Sequence, residues 1–215
     1  MPVISIPGEL TFDKDGDGVA ETYKVEEVNL NNALLSGSVI EKLIIGEGVS
    51  IVQNINSSTA CTVKEISLPS TLKVIINCFN NLNALESVEL PEGVEVIIGS
   101  FWANCNAGWN SLAGMVNLGE PYPFEIAVPS SVKNLSMVPS NFTYSATKST
   151  AKTGDFYRDG NYVYKIDDSE GHIGDLLLIA DYGEEGGSLS VPDGVEGIQV
   201  GTYFNRTYEY FVLPS

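Results

Sequence analysis

Short runs with an apolar residue at every second position recur along this chain, each stopped by a proline or a glycine. Aligned on that stop, "KLIIGEGVSIV", "EISLPSTLKVI", "SVELPEGVEVI", "EIAVPSSVKNL", "SLSVPDGVEGI" and the truncated "YFVLPS" place Gly46, Pro69, Pro91, Pro129, Pro192 and Pro214 in one column. Three residues earlier stand Leu43, Ile66, Val88, Ile126, Leu189 and Phe211, and one earlier Ile45, Leu68, Leu90, Val128, Val191 and Leu213. This period of two predicts a short strand with one buried face. Proline, lacking an N–H, then ends it, and a glycine two residues on in "PEGV" and "PDGV" marks a turn. Apolar residues return three positions past the stop (Val49, Leu72, Val94, Val132, Val195) and six past it (Val52, Ile75, Ile97, Leu135, Ile198), while Phe79 and Phe101 match at ten.

The stops are 23, 22, 38, 63 and 22 residues apart, a unit of 22 or 23 interrupted by two insertions. One unit buries too little by itself, so neighbouring units must stack into a continuous core. The expected fold is a mainly β repeat protein, a right-handed solenoid with one parallel strand per coil. Residues 1–36 are expected to form an N-terminal hairpin cap, and residues 37–215 the solenoid. The insertions fall at about 102–124, which contains Trp102, Trp109 and Tyr122, and at 143–187. In the second, "FYRDGNYVYKI" and "LLLIADY" flank the polar "DDSEGHIGD", predicting a β-hairpin.

"LPSTLKVIINCFNNLNALESVELPEGVEVIIGSFWANC" resembles the BspA-like leucine-rich repeats, whose unit reads roughly I-x-I-P-x-x-V-x-x-I, then a phenylalanine, a Cys or Asn, and a Leu. Cys61, Asn83 and Cys105 resemble the family's Cys/Asn ladder position, whereas Cys78, one residue before Phe79, departs from the pattern. The resemblance covers residues 37–141 and 186–215. It implies a surface-exposed or secreted bacterial protein used in adhesion or interaction, without catalysis.

Composition narrows the partners. The chain is 43% hydrophobic and 18% charged, as in folded soluble domains, and 28 acidic against 11 basic residues give a net charge of −17. That charge repels phosphate backbones and anionic headgroups, which leaves cations, cationic proteins and neutral glycans as partners. The longest clear apolar run is Leu176 to Ala180, far short of a membrane span. "MPVISIPG" carries no secretory leader and "FVLPS" stops inside a repeat, so the chain is expected to be a fragment of a longer protein, for which the resemblance implies an extracellular or cell-surface location.

Catalytic motifs are missing: no P-loop, G-x-S-x-G, H-E-x-x-H or G-x-G-x-x-G occurs. The single histidine, His172, sits in an expected hairpin tip, a poor place for rigid positioning. Three cysteines without C-x-x-C spacing read as buried thiols. The leading expectation is a non-catalytic interaction or adhesion module binding protein or glycan. A spacer without a ligand is the alternative, and a carbohydrate-active enzyme with an acidic pair near Trp102 and Trp109 the third. Trp102, Trp109 and Tyr122 are candidate ligand-stacking residues, or alternatively cover the core edge. Residues four and two before each stop face outward on the strand side and are mostly small or acidic.

"FDKDGDGVAE" is a candidate calcium loop, with Asp13, Asp15, Asp17 and Glu21 as ligands. Counted as an EF-hand it puts Lys24 where the bidentate carboxylate belongs, so it resembles instead the shorter D-x-D-G-D-G-x-x-D/E loops of extracellular proteins. A hairpin turn between "ELTF" and "ETYKV" is the competing and compatible reading. Calcium here would fasten the cap.

Overall fold

The computed structural model describes residues 2–30, 39–57, 62–79, 82, 84–99, 124–135, 138, 140–182, 188–199 and 210–213. Among them are strands and no helix. In chain order they are β1 (Val3–Ile6), β2 (Glu9–Phe12), β3 (Glu21–Lys24), β4 (Glu27–Asn29), β5 (Lys42–Ile45), β6 (Ile51–Gln53), β7 (Glu65–Ser67), β8 (Val74–Ile76), β9 (Ser87–Val88) and β10 (Val96–Ile98). There follow β11 (Ile126–Val128), β12 (Asn134–Leu135), β13 (Phe142–Tyr144), β14 (Phe156–Asp159), β15 (Tyr162–Ile166), β16 (Leu176–Asp181), β17 (Ser188–Ser190), β18 (Gly197–Ile198) and β19 (Tyr210–Val212).

Two parallel ladders carry the repeat. The first runs β1-β5-β7-β9 and aligns Leu43 with Ile66 and Ile66 with Val88, the residues three before the stop. The second runs β4-β6-β8-β10-β12 and aligns Val52 with Ile75, Ile75 with Ile97 and Ile97 with Leu135, the residues six after it. These inward residues are buried, as are Val49, Leu72, Val94 and Val132 at the third position, so the core lies between the ladders. The expectation of one strand per coil is therefore corrected to two. The second strand is only two or three residues long, with its central apolar residue alone buried, and so leaves no run of alternation in the sequence.

Each turn is closed by a residue whose backbone favours the bend. The stop residue's carbonyl accepts from the N–H three positions on, as from Leu72 to Pro69 (3.2 Å) and from Val132 to Pro129 (3.1 Å). In the turns that begin at Gly46 and Pro91, Gly48 and Gly93 take φ of 102° and 106° at the third position, values that favour glycine. After the second strand, Asn54 and Asn77 take φ of 55° and 49°, and Gly99, at the equivalent place, 77°. Asparagine tolerates this conformation better than other side-chain-bearing residues, so it ends the strand and redirects the chain.

The N-terminal segment is built differently from a simple hairpin cap. β1 pairs in parallel with β5, aligning Ile4 with Leu43 and Ile6 with Ile45, and β4 aligns Val28 with Val52. "VISIPG" is thus a further repeat, with Pro7 in the stop column. The hairpin β2–β3 is inserted inside it: Val25 donates to the Gly8 carbonyl (2.8 Å) and closes the loop.

The later insertion also holds more than the expected hairpin. β14, β15 and β16 form an antiparallel meander, because Gly160 (φ 60°) splits "FYRDGNYVYKI" into two strands. The expected pair around "DDSEGHIGD" is β15–β16. β13 aligns Phe142 with Ile126 of β11 in a separate two-stranded parallel sheet, and β16 aligns in parallel with β18, returning the chain to the repeat. A second core cluster, with Tyr157, Tyr164, Leu178, Leu189 and Val191, lies beneath this sheet.

Candidate functional site

The acidic loop joins β2 to β3, so the hairpin reading of "DKDGDG" is realised in the backbone. Gly16 and Gly18, at φ of 79° and 90°, curl the chain so that their N–H groups donate to the two carboxylate oxygens of Asp13 (2.6 and 2.7 Å). The Gly18 bond, then the Gly16 bond, hold the Asp13 carboxyl below its ordinary value. Val19 N–H donates to Asp17 (2.8 Å). One carboxylate oxygen from each of Asp13, Asp15 and Asp17 lies within 4.8 Å of the others. Calcium–oxygen bonds are about 2.3–2.6 Å, so a single cation can reach all three, and the donor set fits a hard, oxygen-seeking ion. Glu21, the fourth expected ligand, is not brought into that group; it lies in β3 and accepts from the Tyr23 hydroxyl. Phe12 stacks on Tyr23 with centroids 4.8 Å apart, on the apolar face of the hairpin.

Trp102, Trp109 and Tyr122 lie outside the described residues, as do Cys61, Asn83 and Cys105. Cys78 is fully buried, and burial pushes its thiol up to about 12, as expected of a packing cysteine. His172 sits exposed in the β15–β16 turn, its Nδ1 2.9 Å from Asp175. Of the residues expected to face outward four and two before each stop, Glu65, Ser87, Glu89, Glu125 and Ala127 are exposed, and Lys42, Ile44 and Ser67 half-buried.

One concave feature escaped the sequence. Where the second ladder ends at β12 and the β14–β16 sheet takes over, a groove of about 740 Å³ opens. Its rim carries Lys133, Lys165, Glu95 and Asp168, and each charge is already paired. Lys133 meets Asp155 at 3.0 Å, Lys165 meets Asp168 at 2.6 Å, and Lys73 meets Glu95 at 3.0 Å. Partial burial raises the Asp155 carboxyl, but the Lys152 N–H and the Lys133 ammonium outweigh it and leave the group below its ordinary value. Asn134 and Gln199 add exposed amides, and Val96, Leu135 and Phe156 contribute apolar lining. These residues come from five strands and their flanking turns, up to 104 positions apart, so no local motif announces them.

No protein-family model matches the chain, and no curated protein matches it in sequence. Among solved structures, the crystal structure of a leucine-rich cell surface protein from Faecalibacterium prausnitzii A2-165 is similar at 18% identity, covering 90% of this chain, with a TM-score of 0.33. The match takes in 58% of that protein's chain, so this sequence spans less than two thirds of its length.

Proposed function

We propose that this chain is a non-catalytic interaction module displayed outside a bacterial cell. In this reading it is a right-handed solenoid of leucine-rich turns that engages protein or glycan partners, with a calcium ion fastening its N-terminal hairpin. The observation that carries the reading is the in-register stacking of the two parallel ladders, which repeats equivalent outward positions from turn to turn on a rigid frame. Right-handed crossover is the strong rule for parallel strands joined in this manner. Such a frame suits many modest contacts that add through multivalency. Asp13, Asp15 and Asp17 would hold the calcium, which would neutralise three clustered carboxylates and stiffen the hairpin that interrupts the first turn.

A spacer role has one observation in its favour: the outward residues of the first ladder are mostly small or acidic, and Lys42 spends its charge on Glu65 of the next turn. The two readings part in one experiment. The chain, immobilised at high density, is offered extracellular-matrix proteins and neutral glycans, with calcium and with chelator. Saturable binding to one class is the expected result; no saturable binding to any of them leaves the spacer reading in place.

A further inference from the structure

We infer that the groove between β12 and the β14–β16 sheet is a binding site for a neutral saccharide. The inference rests on the interaction-module reading and names one site and one ligand class for it.

Charge selects the class. The chain as a whole carries −17, yet the four ionic rim residues Lys133, Lys165, Glu95 and Asp168 sum to zero. Each is also engaged by an opposite charge at 3.0 Å or less. An anionic ligand on either lysine would meet the carboxylate already bound there, and a cationic ligand on either carboxylate would meet its ammonium. The neighbouring like charge largely cancels the attraction in both cases. A neutral polyol meets no such repulsion. Its hydroxyls both donate and accept, and the fixed ion pairs retain free lone pairs and N–H bonds for them.

Shape and lining agree. The groove, at about 740 Å³, falls within the usual few hundred to about 1,000 Å³ of small-molecule sites. Asn134 and Gln199 each offer a carbonyl and an NH₂ on one planar group, the arrangement that bridges two adjacent hydroxyls. Half-buried Val96 supplies apolar surface for the C–H face of a pyranose ring. Lys165 is held over the Phe156 ring at 5.8 Å as well as on Asp168, so its ammonium is positioned before any ligand arrives. Preorganisation of this kind lowers the cost of binding.

The test is an NMR titration of the whole chain with maltose, cellobiose, lactose and chitobiose, alongside glucuronate and glucosamine as charged probes. At least one neutral disaccharide (chitobiose being used as its neutral N,N′-diacetyl form) should shift the amide signals of Asn134, Lys165 and Asp168 in a saturable manner at millimolar concentration, and neither charged probe should do better. Asn134→Ala and Gln199→Ala alter exposed side chains and should keep the parent melting temperature while weakening that binding about tenfold, the equivalent of one lost hydrogen bond of about 1.4 kcal/mol. Glu27→Gln, remote in β4, should leave it unchanged. Saccharide binding that ignores both groove variants, or that shifts signals elsewhere, overturns the groove while leaving an interaction module intact. Stronger binding of a charged probe overturns the neutral class. Absence of disaccharide binding overturns the inference, and it leaves the interaction-module reading standing if the matrix-protein screen is positive.

Discussion

Phe79 combines complete burial with a φ of 68°, a left-handed conformation that a bulky side chain rarely adopts. Its N–H donates to the Ile55 carbonyl of the preceding turn at 2.7 Å, so packing and a hydrogen bond together hold the strained backbone. Phe79→Ala should therefore lower unfolding free energy by about 3–5 kcal/mol in urea titration, the usual cost of emptying an aromatic core site, with only slight relief from the strain. Gly99 shows the opposite constraint. A Cβ there would lie 1.9 Å from Asn77 Oδ1, and its φ of 77° disfavours any side chain. Gly99→Ala should destabilise by at least about 1 kcal/mol, and Gly99→Ala combined with Asn77→Gly should recover part of the loss if the clash is the cause. The −3 residues Leu43, Ile66, Val88, Ile126 and Leu189 are buried as alternation predicts. In the −1 column, by contrast, Leu68 and Leu90 are half-buried and Leu213 is exposed, because burial there depends on what packs at the edge of each strand. The left-handed residues were not legible in the sequence, because asparagine is common in any polar loop.

Neighbouring turns interlock through complementary stop sequences. Turns with glycine two past the stop are followed by turns with a hydroxyl there, and the hydroxyl bonds back to its neighbour. Gly48 N–H donates to Thr71 Oγ1 (2.9 Å), which donates to the Val49 carbonyl (2.8 Å); Gly93 N–H donates to Ser131 Oγ (3.0 Å), which donates to the Val94 carbonyl (2.6 Å). Thr71→Val keeps the shape and removes both bonds, and a loss of about 1–2 kcal/mol is expected in thermal or urea unfolding. Gly46 departs from proline at the stop for a related reason: its N–H donates to the Ile6 carbonyl (2.8 Å), and a Cβ on it would lie 2.5 Å from Gly8 N. At the hairpin, calcium should raise the melting temperature and chelator should reverse it. Asp15→Ala should abolish the response; a midpoint indifferent to calcium would remove the metal from the fold. The hairpin was visible in its Asp-Gly run, but its place inside a repeat was hidden, since 18 residues separate Pro7 from Val25 where other turns need 3.

Across the whole molecule, charge is arranged between turns. Lys64–Glu86 (2.7 Å), Lys73–Glu95 (3.0 Å) and Lys133–Asp155 (3.0 Å) each span 22 residues, one repeat length. Exposed pairs of this kind contribute about 0–1 kcal/mol each, so they assist register more than stability, and 1 M salt should move the melting temperature little. Acid acts more directly. Asp13, Glu47, Asp155 and Asp167 are all held below their ordinary carboxylate values. For Glu47 and Asp167 the bonds from Ser70 and Ser169 are responsible. Their folded forms bind protons less readily than the unfolded chain, so their stabilisation is complete above the unfolded values of about 4 and is lost as pH falls through the folded ones. The melting temperature should stay level from neutral pH down to about pH 5 and decline below about pH 4. A steady decline beginning near neutrality would mean that other groups control it.

The repeat, its 22- to 23-residue spacing and the inward residues of both ladders were determined by the sequence, because each follows from a local pattern of apolar residues and a stop. The insertions too were visible, as lengths that break the spacing. Only the tertiary structure decided that the second apolar position is a strand, that "VISIPG" belongs to the same ladder as "KLII", and that the later insertion contains a three-stranded meander. It also decided where a groove lies. Strand identity at two or three residues depends on a partner one turn away, and a groove depends on side chains drawn from several turns. Information of that kind is carried by contacts between distant segments and has no local period to betray it.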